Sequence, residues 1–240
     1  MALVLVLWIV AALSIFASSL GRMVRQEAAV IGVTRNMAEG RAMGEAAIYQ
    51  LLQQMVLKPA EFSQYQVVQL PWAGRIIEVE VVPWSGLVDI NAASQPLLST
   101  LISRLGGGAG EGIAQALVDA RQEARQAAAS GFAWESPEDL LQIPGMNYGI
   151  YARLKPFVVA DIDGRPGVNA NAAAPALRQL LDGSTGQDST NSTRYRLTAR
   201  TVFDGQGAVM VMRDVDIGGG SQGALPWTLL SAAQVWAGRV

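Results

Sequence analysis

Residues able to do chemistry are few in this chain. Its 240 residues contain no cysteine and no histidine, so Ser-His-Asp and Cys-His catalysis, histidine metal sites and disulfides are all excluded. The only lysines are Lys58 and Lys155, and neither follows a serine by three positions, so a Ser-x-x-Lys nucleophile fails too. The acid pair Glu138-Asp139 falls where a helix is expected to begin, and acids belong there on dipole grounds. The glycine-rich stretch 105–112 lacks the Gly-Lys-Ser/Thr ending of a phosphate loop and follows a helical segment, so it reads as a connector. No catalytic residue is assigned and no enzyme activity is expected. Asp161-x-Asp163-Gly164 resembles the opening of a calcium loop without its third acid and closing glutamate. Calcium is therefore the one cofactor left open, with Asp161 and Asp163 as its candidate ligands.

Two local motifs stand out in the middle of the chain. Ser136-Pro137-Glu138-Asp139 starts a helix, Leu140, Leu141 and Ile143 supply its buried face, and Pro144-Gly145 stops it. A second helix over about 148–154 completes a helix-hairpin-helix-like unit, whose turn could present backbone amides to a phosphate. That opens an alternative function, a membrane-anchored DNA-binding or uptake receptor. Charge opposes it: over residues 87–160 five bases (Arg104, Arg121, Arg125, Arg153, Lys155) face seven acids (Asp89, Glu111, Asp119, Glu123, Glu135, Glu138, Asp139), and phosphate binding needs a positive excess. No nucleic acid partner is expected. The other motif is a repeat, in which Asp89-Ile-Asn91-Ala-Ala before Leu97 and Leu101 recurs as Asn169-Ala-Asn171-Ala-Ala before Leu177 and Leu181. Asn91 and Asn171 are expected at or near helix N-caps.

These motifs hang on a strongly patterned framework. Net charge is only −2, half the residues are hydrophobic and mean hydropathy is +0.24. The apolar excess is concentrated at the start, where residues 2–21 carry no charge, long enough for a roughly 30 Å hydrocarbon core. Leu3, Leu5, Leu7, Trp8, Leu13 and Phe16 are its candidate membrane and assembly residues. Val30, Val33, Met37, Gly44, Ile48, Leu51 and Met55 continue the helix as a packing stripe, and small residues around them permit close approach of a neighbour. Pro59 ends it.

Strands are expected over 65–70 and 75–82, with Pro71 and Gly74 bracketing their turn. A hairpin over 194–203 and 207–217 and a final strand over 226–236 follow. The chain accordingly divides into a transmembrane half-helix (1–24), an amphipathic half-helix (25–58), a first β region (59–86), an inserted helical domain (87–182) and a second β region (183–240). Residues 183–193 form a polar loop. The fold class is α+β: a long N-terminal helix on a small antiparallel sheet, interrupted by an all-helical module.

The outline, together with Met1–Val10, Ala42-x-Gly44-Glu45-Ala46, Gly86–Ala93, Leu140-Leu-x-Ile-Pro-Gly-Met146 and Val168-Asn-Ala-Asn-Ala172, resembles the minor pseudopilin K (GspK) family of type II secretion, within the type IV pilin-like superfamily. The resemblance implies a non-enzymatic subunit at the pseudopilus tip that initiates assembly and supports export across the outer membrane. It implies I-, J- and H-type minor pseudopilins and the major pseudopilin as partners, with secreted cargo or the outer-membrane secretin as further ones. It also implies a single-pass inner-membrane location with the C-terminal domain in the periplasm. Pilin-like proteins usually carry glutamate at position 5 of the mature chain and the K branch lacks it; with residue 1 as the mature N-terminus, Leu5 fits that branch, because a tip subunit has none ahead for a carboxylate to engage. The shorter insertion means that calcium binding of that branch does not carry over.

Overall fold

The computed structural model describes residues 2–72, 74–106, 108, 110–127, 134–161, 164–182, 192–203, 207–218 and 225–237; side chains of residues 2–5, 11–12, 15, 17–26, 28–29 and 237 are outside that description. Alanine, leucine and methionine in long runs favour helix, and α1 extends without a break from Ala2 to Leu57, about 84 Å at 1.5 Å per residue. The Lys58 amide still bonds the Gln54 carbonyl at 2.9 Å, and Pro59 then opens a short 3-10 turn that ends at Phe62.

β1 (Gln66–Trp72), whose residues alternate half-buried with exposed over 66–69, and β2 (Arg75–Pro83), which buries Ile77, Val79 and Val81, form an antiparallel pair. The chain reverses at Gly74, whose φ of +78° suits glycine. Pro71 does not bracket this turn as expected; it lies inside β1, opposite Ile76. The strand tolerates it because β1 is an edge, where a missing N–H is harmless.

After β2 the chain enters the inserted helices. A two-residue strand β3 (Val88–Asp89) leads to α2 (Gln95–Gly106) and α3 (Gly110–Ala127). A 3-10 turn (Pro137–Gln142), α4 (Tyr148–Leu154), β4 (Val158–Val159) and α5 (Pro175–Leu181) follow. β3 and β4 pair in parallel and close the module at its base, a contact that two-residue strands do not announce in sequence. The helices bury their own core around Leu98, Leu101, Leu117, Leu140, Leu154 and Leu177.

The chain then returns as β5 (Arg194–Phe203), β6 (Gly207–Asp216) and β7 (Thr228–Ala237), giving one antiparallel sheet in the order β1-β2-β5-β6-β7. β2 and β5 are neighbours although the whole insertion separates them in sequence. One face of the sheet packs on the C-terminal half of α1 to form a second core, where Ile48, Leu51 and Met55 meet Val79, Leu197 and Val211. The expected α+β architecture, a long helix on an antiparallel sheet with helices inserted, is the one the chain adopts. The polar loop at 183–191 and the hairpin turn at 204–206 lie outside the described residues.

Candidate assembly surface

The packing stripe on α1 divides into two parts. Gly44, Ile48, Leu51 and Met55 are buried on the sheet and Met37 is half-buried. Val30 and Val33 are not; they are 65% and 38% exposed, because the sheet ends near Met37, whose carbonyl accepts a 3.3 Å bond from Gln234. The spacing marks one continuous face, and periodicity cannot tell where the partner of a face stops.

Two glycines set the distance between α1 and the sheet. A Cβ at Gly40 would lie 2.6 Å from the Val209 Cβ, and one at Gly44 would lie 2.9 Å from the Val211 Cγ2, so the helix backbone rests directly on β6. Beside them Arg213, 7% exposed, reaches from β6 to Glu45, which also accepts from the Arg41 Nε at 3.0 Å. Burial raises the Glu45 carboxyl, but the two guanidinium groups more than offset this and hold it below its ordinary range.

Toward its N-terminus α1 has no described cover. Leu7, Trp8, Leu13 and Phe16 are 65%, 72%, 63% and 66% exposed, and Val30 and Ile31 continue the apolar surface. Leu3 and Leu5 lie in the same helix, with side chains outside the description. Among the described residues no helix is long and apolar enough to cross a membrane.

The repeated motif in the insertion forms two copies of one turn. Asp89 Oδ1 accepts the Asn91 amide and Asn169 Oδ1 the Asn171 amide, each at 2.9 Å, while the Ala93 and Ala173 amides return to the Asp89 and Asn169 carbonyls at 2.8 and 3.0 Å. The turn is thus made by the residue two before each asparagine. Neither Asn91 nor Asn171 caps a helix, since α2 and α5 begin four residues further on. Asn91 instead clamps Trp134 by both main-chain groups (2.9 and 3.0 Å), and the Asn171 carbonyl accepts the Tyr65 amide at 3.0 Å. Gly86 crosses the second turn so closely that a Cβ would sit 2.1 Å from the Ala172 oxygen.

Asp89 is buried and also accepts the Asp161 and Arg165 amides, each at 3.0 Å. Burial nevertheless pushes its carboxyl up to about 6. Asp161 is paired with Arg194, which also holds Asp216 at 3.1 Å, so its Oδ1 already serves a guanidinium. Asp163 lies outside the described residues, and among the described residues no group of three or more acids could hold a metal ion.

In the hairpin-like unit Ser136 and Asp139 form a capping box and Asn147 caps α4, its Oδ1 accepting the Ile150 amide at 3.0 Å. Its first segment is a 3-10 turn, so Leu140 and Ile143 are buried while Leu141, expected inside, is 42% exposed. Pro144 is exposed and Gly145 turns the chain at φ +86°, its Cα facing Ile113 of α3. Glu138 accepts from Lys155 Nζ at 2.6 Å and the Tyr151 hydroxyl at 2.8 Å. Burial opposes ionisation, but these bonds and one from Ser136 hold Glu138 down at about 2.

What the sequence reading missed is the polar joint between insertion and sheet. Arg196 and Asp214, both about 5% exposed, form a two-pronged pair at 2.8 and 2.9 Å across β5 and β6. Arg196 Nη1 also donates to the Lys155 and Pro156 carbonyls at 3.1 and 3.0 Å. Its signal was present: arginines at 194 and 196 and aspartates at 214 and 216 alternate on strands that pair, where surface charges need no such order.

No family model matches the chain and no curated protein matches it. Among solved structures, a chain of the GspK-GspI-GspJ complex from the enterotoxigenic Escherichia coli type 2 secretion system is similar, with a TM-score of 0.49 and 14% identity over 84% of this chain and 99% of that one.

Proposed function

We propose that this chain is a non-enzymatic minor pseudopilin of the K type, placed at the tip of a type II secretion pseudopilus. On this reading the N-terminal part of α1 anchors in the inner membrane and the C-terminal part stands in the periplasm. There it starts assembly with I-, J- and H-type subunits above the major pseudopilin. The observation that carries the reading is the division of α1. Its C-terminal half is fixed to the sheet by Gly40, Gly44 and the Arg213–Glu45 pair, while Leu7, Trp8, Leu13, Phe16, Val30 and Ile31 leave an uncovered apolar surface along the rest. An apolar face of that length on a chain of this size needs lipid or neighbouring helices. The motif order from Met1 to Ala172 supports the K type in particular. The seven acids against five bases over residues 87–160 speak against DNA uptake.

The test is co-purification of the full chain in detergent with I- and J-type subunits from its own genome. A stoichiometric complex is expected; reproducible failure with cognate partners overturns the reading.

A further inference from the structure

Pro59 stops α1 and turns the chain away through the short 3-10 segment, and a cleft of about 320 Å³ is left between that turn, the start of β5 and the end of β6. Val56, Pro59, Ala60 and Ile217 wall it with hydrocarbon, and none of the described residues that line it carries a charge. Sites for small molecules are of this kind, concave and mostly apolar, with a few polar groups that fix the orientation of what they hold.

Four hydroxyl side chains line the cleft, and three of them are occupied. Ser63 Oγ donates to the Ala60 carbonyl at 3.0 Å, and Ser192 Oγ donates to the Arg194 carbonyl at 3.0 Å while accepting the Arg194 amide at 3.1 Å. The Thr193 hydroxyl bonds the Asp216 carboxylate. Tyr195 differs from all three. It faces α1 from β5 with Leu197 and Ala199, is 2% exposed, and its hydroxyl makes no hydrogen bond among the described residues. The unpartnered polar atoms that are sealed off belong to Trp84, Arg121, Arg165 and Thr201, so the Tyr195 hydroxyl is still reached through its small remaining opening, on the side of the cleft. Burial pushes the phenol up, which keeps it a neutral O–H donor. Buried donors are ordinarily satisfied, and this one lies open only to what enters the cleft.

We propose that this cleft is a binding site for a small uncharged molecule, with an apolar body that lies against Val56, Pro59, Ala60 and Ile217 and an oxygen acceptor that takes the Tyr195 hydroxyl. An ion would give up its hydration to walls that hold no opposite charge. A plain hydrocarbon would fill the space and leave the hydroxyl unpaired. A docked protein needs an apolar patch that continues past the mouth, whereas the hollow that adjoins the cleft at Ala60 and Ser63 is lined by Glu61, Gln64, Tyr65 and Gln66. Nothing in the cleft depends on the pseudopilin reading, and the site stands or falls apart from it.

The full chain in lipid nanodiscs is titrated with acetophenone, with ethylbenzene as the hydrocarbon of similar shape and with benzoate as the anion. Free ligand is measured in the aqueous phase, and binding is followed by the methyl NMR signals of Val56, Ala60 and Ile217. Acetophenone is expected to shift these signals saturably, ethylbenzene to bind about tenfold more weakly, the effect of a hydrogen bond worth about 1.4 kcal/mol, and benzoate not to bind. Tyr195→Phe is expected to abolish the preference for the ketone while leaving ethylbenzene as it was; a hydroxyl with a merely structural role would change both ligands alike. Ala60→Phe, at an exposed position on the wall, is expected to abolish binding of both. Absence of a saturable shift with acetophenone, or an equal preference for it in Tyr195→Phe, overturns the site. If Tyr195→Phe loses its fold by circular dichroism, the wild-type ratio decides, and equal affinity for acetophenone and ethylbenzene overturns it.

Discussion

Replacing the glycines of α1 one at a time by alanine tests whether the helix backbone truly rests on β6. Every such change gains about 1 kcal/mol of helix propensity, because alanine loses less backbone entropy on folding. The gain is common to all sites, so differences between sites report the space around them. At Gly32 nothing lies within 4 Å of an added Cβ, and Gly32→Ala keeps the gain. At Gly40 the added carbon would stand 2.6 Å from the Val209 Cβ and 3.0 Å from the Phe203 ring. The Val209 Cβ is fixed to its strand and cannot swing aside, so helix and sheet must part; overpacking of this kind costs about 1–3 kcal/mol. Gly40→Ala is thus expected below Gly32→Ala by about 1–3 kcal/mol, roughly 2–12 °C in Tm for a chain of this size. Gly44→Ala falls between them, since its nearest contact, at 2.9 Å, is a terminal methyl of Val211. Urea unfolding of the three variants in one detergent, followed by tryptophan fluorescence, measures the order. Equal midpoints for Gly32→Ala and Gly40→Ala would refute the close contact.

Leu51→Ala, at a fully buried position, is expected to cost about 2–5 kcal/mol in the same assay. Val30→Ala is expected to leave the midpoint within about 0.5 kcal/mol while lowering capture of partner subunits, because Val30 lies beyond the end of the sheet and is exposed. Asp214→Ala strands a buried guanidinium and is expected to cost about 3–5 kcal/mol; the double change Arg196→Met with Asp214→Leu restores most of it, as thermal melts can show. Asp89 gives a pH signature. Its folded carboxyl titrates at about 6, above the ordinary aspartate range, so the folded state holds the extra proton and stability from this group falls as pH rises from about 4 to 6. Glu138, Glu45 and Asp216 are shifted down instead, and what they contribute is lost only as pH falls below about 4. Urea midpoints between pH 4 and 7 should decline for the wild type and flatten for Asp89→Asn; parallel curves refute the assignment.

Local chemistry was enough to determine several elements of this protein. Pro59 ends α1, the alternation of Ile77, Val79 and Val81 makes a half-buried strand, and Ser136-Pro137 starts a turn of helix; each effect acts within a few residues and so is written in the sequence. The repeated pentapeptide was also legible as a repeat, though its mechanism was not: which atom accepts the turn amide depends on backbone angles that Asp89 and Asn169 share and that composition does not show. Tertiary structure decided the rest. A hydrophobic period marks a face but not how far the neighbour extends, so Val30 and Val33 read the same as Ile48 and Leu51 until the sheet is seen to end near Met37. The buried pair of Arg196 and Asp214 and the place of β7 at the edge of the sheet among the described residues come from strand order and register. Those are set by contacts between residues far apart in the chain, where no local rule reaches.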